Sequence, residues 1–385
     1  MERRRTGVRA RTRTSPRWTA LAAVLGTVLL ALLLATTAPV AARSSSAEPP
    51  REVHSYYVSE PTAPVKARAT LARLMAVPPL DNGWVPQVPT PFSGHGVACP
   101  PRRCVDRRLP VPSSVKVTSS MVRVLLPRGY HKQRNRGLRY PVVYLFNGAL
   151  SSYDMWSRKT RITALSRDLG AIFVMPEGAF APVPGMFADW HDGSYQWESF
   201  HTKVVVPWVD RSFRTIPGAR AAVGASMGSL GAIGYAQRHP GMFKAVMSIS
   251  GILDTRSLTA NIVPEDLAAA LGMQPPDMQR VYGNPVLQRE VWRRHNPAEN
   301  ADKLKGVKVL VAGGTGFLTG DATDPVRNGT TEAVLWTTNR TFLAALTRAG
   351  VPFEARVARG GVHNWPWFHN PLVWGLPKLI AATRR

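Results

Sequence analysis

Short apolar segments alternate with longer amphipathic segments over most of the chain. Large apolar residues recur at helical spacing at Trp197, Phe200, Val204 and Trp208, and another helical pattern follows Ser226 at once. The apolar segments are rich in β-branched residues, are bounded by Gly or Pro, and predict seven strands: Ser119–Pro127, Tyr140–Gly148, Gly170–Gly178, Ala219–Ser226, Lys244–Gly251, Val307–Gly314 and Phe353–Arg359. Strands that are almost continuously apolar are typical of a mostly parallel sheet with helices on both faces, so the pattern predicts an α/β fold.

The first 42 residues have the order of an export signal. Basic residues extend to Arg17, an apolar run covers about Trp18 to Ala35, and small residues end at Ala42. Cleavage after Ala42 fits this order, but the apolar run is also long enough to cross a bilayer, so an uncleaved anchor stays open. Both alternatives predict that the rest of the chain lies outside the cytoplasm, secreted or associated with the cell envelope.

Composition divides the remainder into two parts and gives it a basic character. Residues 43–108 are rich in Pro, Ser and Val and predict an extension or linker before a catalytic domain at residues 109–385. The formal net charge is +25, and the first 42 residues hold seven Arg and one Glu, which leaves +19 on the rest. This excess favours contact with an anionic envelope surface. Nucleic acid is not expected as a partner, because Arg and Lys are scattered without interleaved aromatic residues.

The chain has two cysteines, Cys99 and Cys104. In an oxidising compartment this spacing predicts a disulfide that closes a short loop. His95 lies four residues before Cys99, but no fourth ligand is evident, so no metal site is predicted.

A serine between two glycines follows one of the predicted strands. The stretch reads Gly224-Ala225-Ser226-Met227-Gly228, and a helix of small residues begins directly after it. A strand, a tight turn and a helix in this order are what the nucleophile elbow of a serine hydrolase requires. The elbow would expose the Ser226 hydroxyl and point the N–H of Met227 at the same spot. A structural glycine turn is the alternative.

A serine nucleophile needs a base, and the base needs a group that orients it. In the α/β-hydrolase order the acid follows the nucleophile and the histidine comes last. His363 follows the last predicted strand on a loop that begins with glycines, which favours it as the base. His295 and His369 lie next to Asn-Pro-type turns and are expected at the surface.

Three carboxylates are candidates for the acid. Asp321 and Asp324 follow the strand Val307–Gly314, where many hydrolases carry this residue, and Glu332 comes a few residues later. The two aspartates are equally typical of solvated turns. Position alone therefore favours the two aspartates, with a solvated turn as the alternative.

The chain resembles the antigen 85 mycolyltransferases and the related esterase D-like serine esterases over residues 119–379. The resemblance lies in five linked motifs: YLFNGALSSYDMW, FVMPEGAFAPVPGMFADWHDGSYQWESFHTKVVVPWVDRSF, VGASMGSLGA, TTEAVLWTTNRTFLAAL and GGVHNWPWF. It implies an α/β-hydrolase fold with Ser226 as nucleophile, His363 as base and Glu332 as acid. It also implies an oxyanion hole made by the N–H groups of Ala149 and Met227.

Two further residues are implied to bind substrate. Trp365 matches an aromatic residue at the family's acceptor site, and Asn147 stands where the transferases have an aspartate. The transferases usually read Asp-Gly-Leu-Arg where this chain has Asn147-Gly148-Ala149-Leu150. The acidic and basic groups that would contact a trehalose acceptor are therefore absent.

These features predict an exported serine esterase or acyl hydrolase that forms an acyl-serine intermediate from a lipid or acyl-sugar ester, with no metal or organic cofactor. One alternative is an envelope acyltransferase or mycolyltransferase that moves the acyl chain to a sugar or glycolipid hydroxyl. An alternative of another class is a non-catalytic, basic envelope-binding protein. Leu253–Asn300 is predicted as a lid over the acyl chain, with ordinary helical packing as the alternative.

Overall fold

A mostly parallel sheet of nine strands forms the centre of the molecule. The computed structural model describes residues 54–58, 99–149, 151–178, 184–258, 275–316, 329–358 and 360–384. The strands are β1 (His54–Val58), β2 (Cys104–Arg108), β3 (Met121–Leu125), β4 (Tyr140–Phe146), β5 (Ile172–Pro176), β6 (Thr215–Ala225), β7 (Ala245–Ile249), β8 (Lys308–Gly314) and β9 (Phe353–Ala358). Their order across the sheet is β1-β9-β8-β7-β6-β4-β5-β3-β2.

Strand direction follows the connections. Across the sheet, every neighbouring pair in the run β1-β9-β8-β7-β6-β4-β5 is parallel, while β3 pairs antiparallel with both β5 and β2. Parallel neighbours need crossover connections, and helices supply most of these. The mostly parallel α/β architecture predicted from the apolar pattern is confirmed.

Helices cover the sheet on both sides. They are α1 (Met155–Lys159), α2 (Ile162–Leu165), α3 (Trp197–Ser199), α4 (Val206–Ser212), α5 (Gly228–Arg238), α6 (Pro275–Tyr282), α7 (Arg289–Arg294), α8 (Gly329–Arg348) and α9 (Trp365–Thr383). A π-helical segment, Phe200–Val205, joins α3 to α4, and 3-10 helices lie at Gln133–Asn135, Thr255–Leu258 and Ala298–Leu304. The helical pattern predicted from Trp197 to Trp208 is therefore confirmed, with a π-helical centre.

Two apolar cores fill the space between the sheet and its helices. Helices α3, α4, α5 and α8 contribute buried residues to one core, and α1, α2 and α9 contribute to the other. The central strands β4, β5, β6 and β7 are buried along most of their length. This explains why they read as continuous apolar runs rather than as alternating ones.

The two outermost strands were not predicted. All seven predicted strands are present, but β1 and β2 come from residues 43–108, which the sequence assigned to an extension. Strand β2 reads CVDRR, pairs on one side only and is half-exposed to exposed, so it carries little apolar signal. Part of the predicted extension therefore belongs to the sheet.

Several sequence features lie at or beyond the limits of the described residues. The predicted export signal at residues 1–42 lies outside them. Among the helices that are described, none has the length and apolar character needed to cross a bilayer. Cys99 and Cys104 form the predicted disulfide, with Cα atoms 5.1 Å apart, at the start of β2.

Candidate active site

The carboxyl ends of the central strands meet at one edge of the sheet. Phe146 of β4 is level with Gly224 of β6, and Ala225 of β6 is level with Ile249 of β7. The residues that follow these strands therefore lie side by side. In open α/β sheets this edge is where ligands bind.

Ser226 occupies a sharp turn between β6 and α5. Its φ is 54°, a left-handed conformation that is uncommon for a residue with a side chain. Its N–H donates to the carbonyl of Ile249 at 2.9 Å, which holds the turn against β7. A Cβ on Gly224 would lie 2.1 Å from the carbonyl oxygen of Gly228, so only glycine fits there. These are the strand, turn, helix and backbone strain of a nucleophile elbow.

Ser226, His363 and Glu332 form a continuous row of hydrogen-bonding groups. The Nε2 atom of His363 lies 2.9 Å from Ser226 Oγ, and its Nδ1 atom lies 3.0 Å from Glu332 Oε2. The exposed fractions of Ser226, His363 and Glu332 are 5%, 8% and 1%, respectively. Because a carboxylate can only accept, His363 carries its proton on Nδ1 and presents Nε2 as an acceptor to the serine hydroxyl.

The other carboxylate oxygen of Glu332 is bound by groups from two neighbouring strand ends. Ser250 Oγ donates to Oε1 at 2.6 Å, and the N–H of Gly314 donates to it at 2.6 Å. Ser250 itself has a φ of 47° at the end of β7. Sequence reasoning did not single out Ser250, because an isolated serine at a strand end carries no signal of a role.

The loop that carries His363 is fixed by glycine contacts and by a helix cap. Gly361 has a φ of 105°, and a Cβ there would lie 2.5 Å from the Trp367 ring. The side chain of Asn364 accepts a hydrogen bond from the N–H of Trp367 at 3.0 Å and caps the start of α9. The ring of His363 packs edge-on against Phe368 with centroids 4.9 Å apart. The backbone on both sides of His363 is therefore fixed, and its ring packs against Phe368.

The two backbone groups predicted for the oxyanion hole border the elbow. Met227 follows Ser226 at the start of α5, and Ala149 follows Gly148 in the loop after β4. A Cβ on Gly148 would lie 3.3 Å from the Cβ of Ser226, so this loop passes directly beside the serine. Within the described part of the chain, no acceptor is recorded for the N–H of Ala149 or of Met227. Their role as an oxyanion hole stays a prediction.

The structure gives Asn147 and Trp365 partners within the protein. Asn147 is 0% exposed, and its Nδ2 donates to the carbonyl oxygens of Gly148 and Ser151. Contact of Asn147 with an acceptor stays a prediction. Trp365 is half-buried and packs edge-on against Trp156 with centroids 5.0 Å apart. Substrate contact by Trp365 stays a prediction.

The two other candidate histidines are buried. The prediction that His295 and His369 lie at the surface is wrong, because they are 4% and 3% exposed. Burial and the nearby charge of Arg238 lower the pKa of His295 to about 4.

Asp321 and Asp324 lie outside the described residues, as does the middle of the predicted lid, residues 259–274. The described parts of that segment contribute buried residues to the core, which is the packing alternative.

In the described part of the chain, three residues of types that can bind a metal lie close together. They are Cys99, Cys104 and Asp106. The two sulfurs are joined in the disulfide, and Asp106 receives two hydrogen bonds from the guanidinium of Arg123, at 2.8 and 2.7 Å. The group therefore offers no thiolate to a metal, and its carboxylate is already paired.

Comparison with known proteins finds relatives named as an esterase and as an acyltransferase. Esterase Rv1288 of Mycobacterium tuberculosis is 32% identical over 250 residues, which cover 62% of this chain and 52% of that protein. Diacylglycerol acyltransferase/mycolyltransferase Ag85A of Mycobacterium leprae is 28% identical over 182 residues, which cover 44% of this chain and 53% of that protein. The chain thus spans about half the length of these two relatives.

Solved structures share the fold. MPT51 of Mycobacterium tuberculosis superposes with a TM-score of 0.58 at 24% identity, over 73% of this chain and 99% of that one. A ferulic acid esterase superposes with a TM-score of 0.55 at 23% identity, over 73% of this chain and 98% of that one. These likenesses show an α/β-hydrolase fold.

The family match covers most of the described chain. Residues 115–379 match the esterase family described as "Putative esterase". This range begins just before β3, ends in α9, and includes Ser226, Glu332 and His363. Because the match covers more than half of the sequence and the fold agrees with it, the chain belongs to this esterase family.

Proposed function

We propose that the protein is an exported serine esterase or acyl hydrolase that works through an acyl-Ser226 intermediate. The observation that carries the proposal is the row of hydrogen-bonding groups from Ser226 Oγ through His363 to Glu332, set on a strained elbow. Relatives named as esterases and acyltransferases support the same chemistry. This chemistry requires no metal or organic cofactor.

In the first step His363 Nε2 takes the proton from Ser226 Oγ, and the oxygen attacks the acyl carbonyl of the ester. The negative charge that develops on the carbonyl oxygen is stabilised by the N–H groups of Ala149 and Met227. The bond to the alcohol then breaks, and His363 returns the proton to the leaving alcohol. Acyl-Ser226 remains.

In the second step water replaces the alcohol. His363 Nε2 takes a proton from the water, whose oxygen attacks the acyl carbonyl, and the proton then passes to Ser226 Oγ as the carboxylic acid leaves. Glu332 accepts from Nδ1–H throughout, so it fixes the tautomer and stabilises the imidazolium. Ser250 and Gly314 bind the other carboxylate oxygen and keep Glu332 in place.

The substrate class is an ester of a lipid or an acylated sugar, and the site of action is the cell envelope or the medium. The relationship to Ag85A supports a lipid acyl group. The apolar N-terminal run and the net charge of +25 support export and contact with an anionic envelope surface.

A second candidate is transfer of the acyl group to a sugar or glycolipid hydroxyl instead of water. The relationship to a protein named as an acyltransferase/mycolyltransferase favours it. The first step would be identical, and the acceptor hydroxyl would take the place of water in the second.

The test is ester cleavage and active-site labelling of Ser226→Ala. Wild-type protein is expected to cleave p-nitrophenyl esters of graded chain length and to react with a fluorophosphonate, whereas Ser226→Ala does neither. Ser212→Ala is the matched control, since Ser212 is exposed at the end of α4. Labelling that persists in Ser226→Ala would overturn the assignment. Absence of both reactions in the wild type would favour a non-catalytic envelope-binding protein.

A further inference from the structure

We infer that Asn147 is a positioning residue that orients the N–H of Ala149 for the oxyanion, and that it does not contact an acceptor. The inference rests on the proposed serine mechanism. Asn147 directly follows β4 and is wholly buried. A side chain without exposed surface has no direct access to a substrate.

The amide nitrogen of Asn147 binds the loop on both sides of Ala149. Nδ2 donates to the carbonyl of Gly148 at 3.2 Å and also to the carbonyl of Ser151. Ser151 Oγ in turn donates to the carbonyl of Ala149 at 3.2 Å. Because both partners of the amide are carbonyl oxygens, they can only accept, and this fixes which end of the amide is the nitrogen.

The bond to Gly148 controls the direction of the neighbouring N–H. The carbonyl of Gly148 and the N–H of Ala149 belong to one peptide group, which is planar and trans, so the two point in opposite directions. Holding the carbonyl against Asn147 therefore turns the N–H of Ala149 away from Asn147. Gly148 lies against Ser226, so a small rotation of this peptide would move the donor relative to the reacting carbonyl.

The oxygen end of the Asn147 amide indicates that stability alone does not explain why an asparagine lies here. Oδ1 of Asn147 is buried and has no hydrogen-bond partner among the described residues. It faces Gly178, where a Cβ would lie 2.8 Å away from it. An unpaired buried carbonyl oxygen costs free energy, so the amide is retained for the two bonds that its nitrogen makes.

The decisive variant is Asn147→Ala, which removes the donor without adding a charge. The carbonyls of Gly148 and Ser151 would lose their partner, and the peptide before Ala149 would lose its restraint. We expect kcat to fall by about 10²-fold, as when one oxyanion donor is lost, and KM for a short-chain ester to stay within about twofold.

The division of the effect between kcat and KM separates positioning from contact with the substrate. A misplaced oxyanion donor lowers kcat, because that donor acts in the transition state. Loss of a contact with the bound substrate would instead raise KM.

Asn135→Ala is the matched control. Asn135 lies at the end of the 3-10 helix Gln133–Asn135, before β4 and at the opposite end of that strand from Asn147, and its Nδ2 donates to the carbonyl of Gly129 at 2.9 Å. The control loses the same kind of bond away from the site, and its kcat should equal that of the wild type. If Asn147→Ala does not fold, Asn147→Leu fills the space of the amide and should show the same loss of kcat.

The outcomes separate this inference from the proposed function. A wild type that neither cleaves esters nor labels at Ser226 overturns the proposed function. An active wild type together with unchanged kcat in Asn147→Ala or Asn147→Leu overturns the inference alone. So does a variant with normal hydrolysis but a raised KM for a sugar acceptor, because Asn147 would then bind the acceptor.

Discussion

Ser250 Oγ lies 2.6 Å from Oε1 of Glu332 and donates a hydrogen bond to it. The serine comes from the end of β7, and the glutamate lies in the first turn of α8, 82 residues later in the chain. Ser250 Oγ and the N–H of Gly314, at the end of β8, both donate to the carboxylate oxygen of Glu332 that does not face His363. The geometry of the buried carboxylate is thus set by the ends of two neighbouring strands.

Glu332→Gln is expected to lower kcat by about 10³- to 10⁴-fold, because an amide neither fixes the required His363 tautomer nor stabilises an imidazolium. Asp324→Asn is the control and should retain most of the activity. Steady-state kinetics on a p-nitrophenyl ester measures both. A crippled Asp324→Asn beside a mildly affected Glu332→Gln would transfer the role of the acid to Asp324.

The central strands and the elbow were predictable because their signals are local. Fully buried strands read as apolar runs, and the turn at Ser226 needs glycines at fixed positions. Strand β2 was missed because a strand that pairs on one side tolerates residues such as Arg107 and Arg108. Its place depends on pairing with β3, which no local pattern shows.

The site was predictable only in part, because several of its contacts join distant segments. The choice of Glu332 over two aspartates required a family resemblance, since position alone favoured the aspartates. His295 looked like a turn residue, but its Nδ1 lies 2.8 Å from the carbonyl of Val291 in a buried environment. The bonds of Asn147 to Gly148 and Ser151 depend on how the loop after β4 folds, which no local pattern shows.

Gly228→Ala should destabilise the protein by about 3 kcal/mol, the upper part of the range for overpacking. A Cβ at Gly228 would lie 2.3 Å from the carbonyl oxygen of Phe146, so β4 and α5 would have to separate. The gain in helix propensity, about 1 kcal/mol, is too small to offset this. Gly137→Ala, where a Cβ would meet nothing within 4 Å, is the control for urea unfolding. Equal midpoints for the two variants would contradict the close approach.

His201 should make stability depend on pH. Burial lowers its pKa to about 4, its Nε2 donates to the carbonyl of Glu177, and its Nδ1 accepts from the hydroxyl of Tyr235, both at 2.8 Å. The unfolded chain has a histidine pKa of about 6.5, so it binds more protons than the folded state between about pH 6.5 and 4. The stability contributed by neutral His201 is present above this window and declines as the pH falls through it.

The expected loss from His201 between pH 7.5 and pH 5 is about 2 kcal/mol. His201→Gln does not titrate, so its free energy of unfolding should change by about 2 kcal/mol less over that interval. Urea unfolding at the two pH values measures the difference. A variant with the same pH dependence as the wild type would show that His201 is protonated in the folded protein or makes no contribution.

Hydrolysis of the acyl-enzyme by water should dominate over transfer of the acyl group to a sugar acceptor. Transfer requires a bound hydroxyl to outcompete water at about 55 M, which well-oriented groups achieve through effective molarities of about 10⁵ M or more. Such orientation depends on dedicated hydrogen-bonding groups, and Leu150 stands where the resembling transferases carry an arginine. Both N–H donors of the Asn147 amide are occupied by loop carbonyls, so they are not free for an acceptor. With a short-acyl donor and excess trehalose, mass spectrometry should therefore detect mainly the free acid. Acyl-trehalose as the dominant product would make the protein a transferase whose acceptor is bound by other groups.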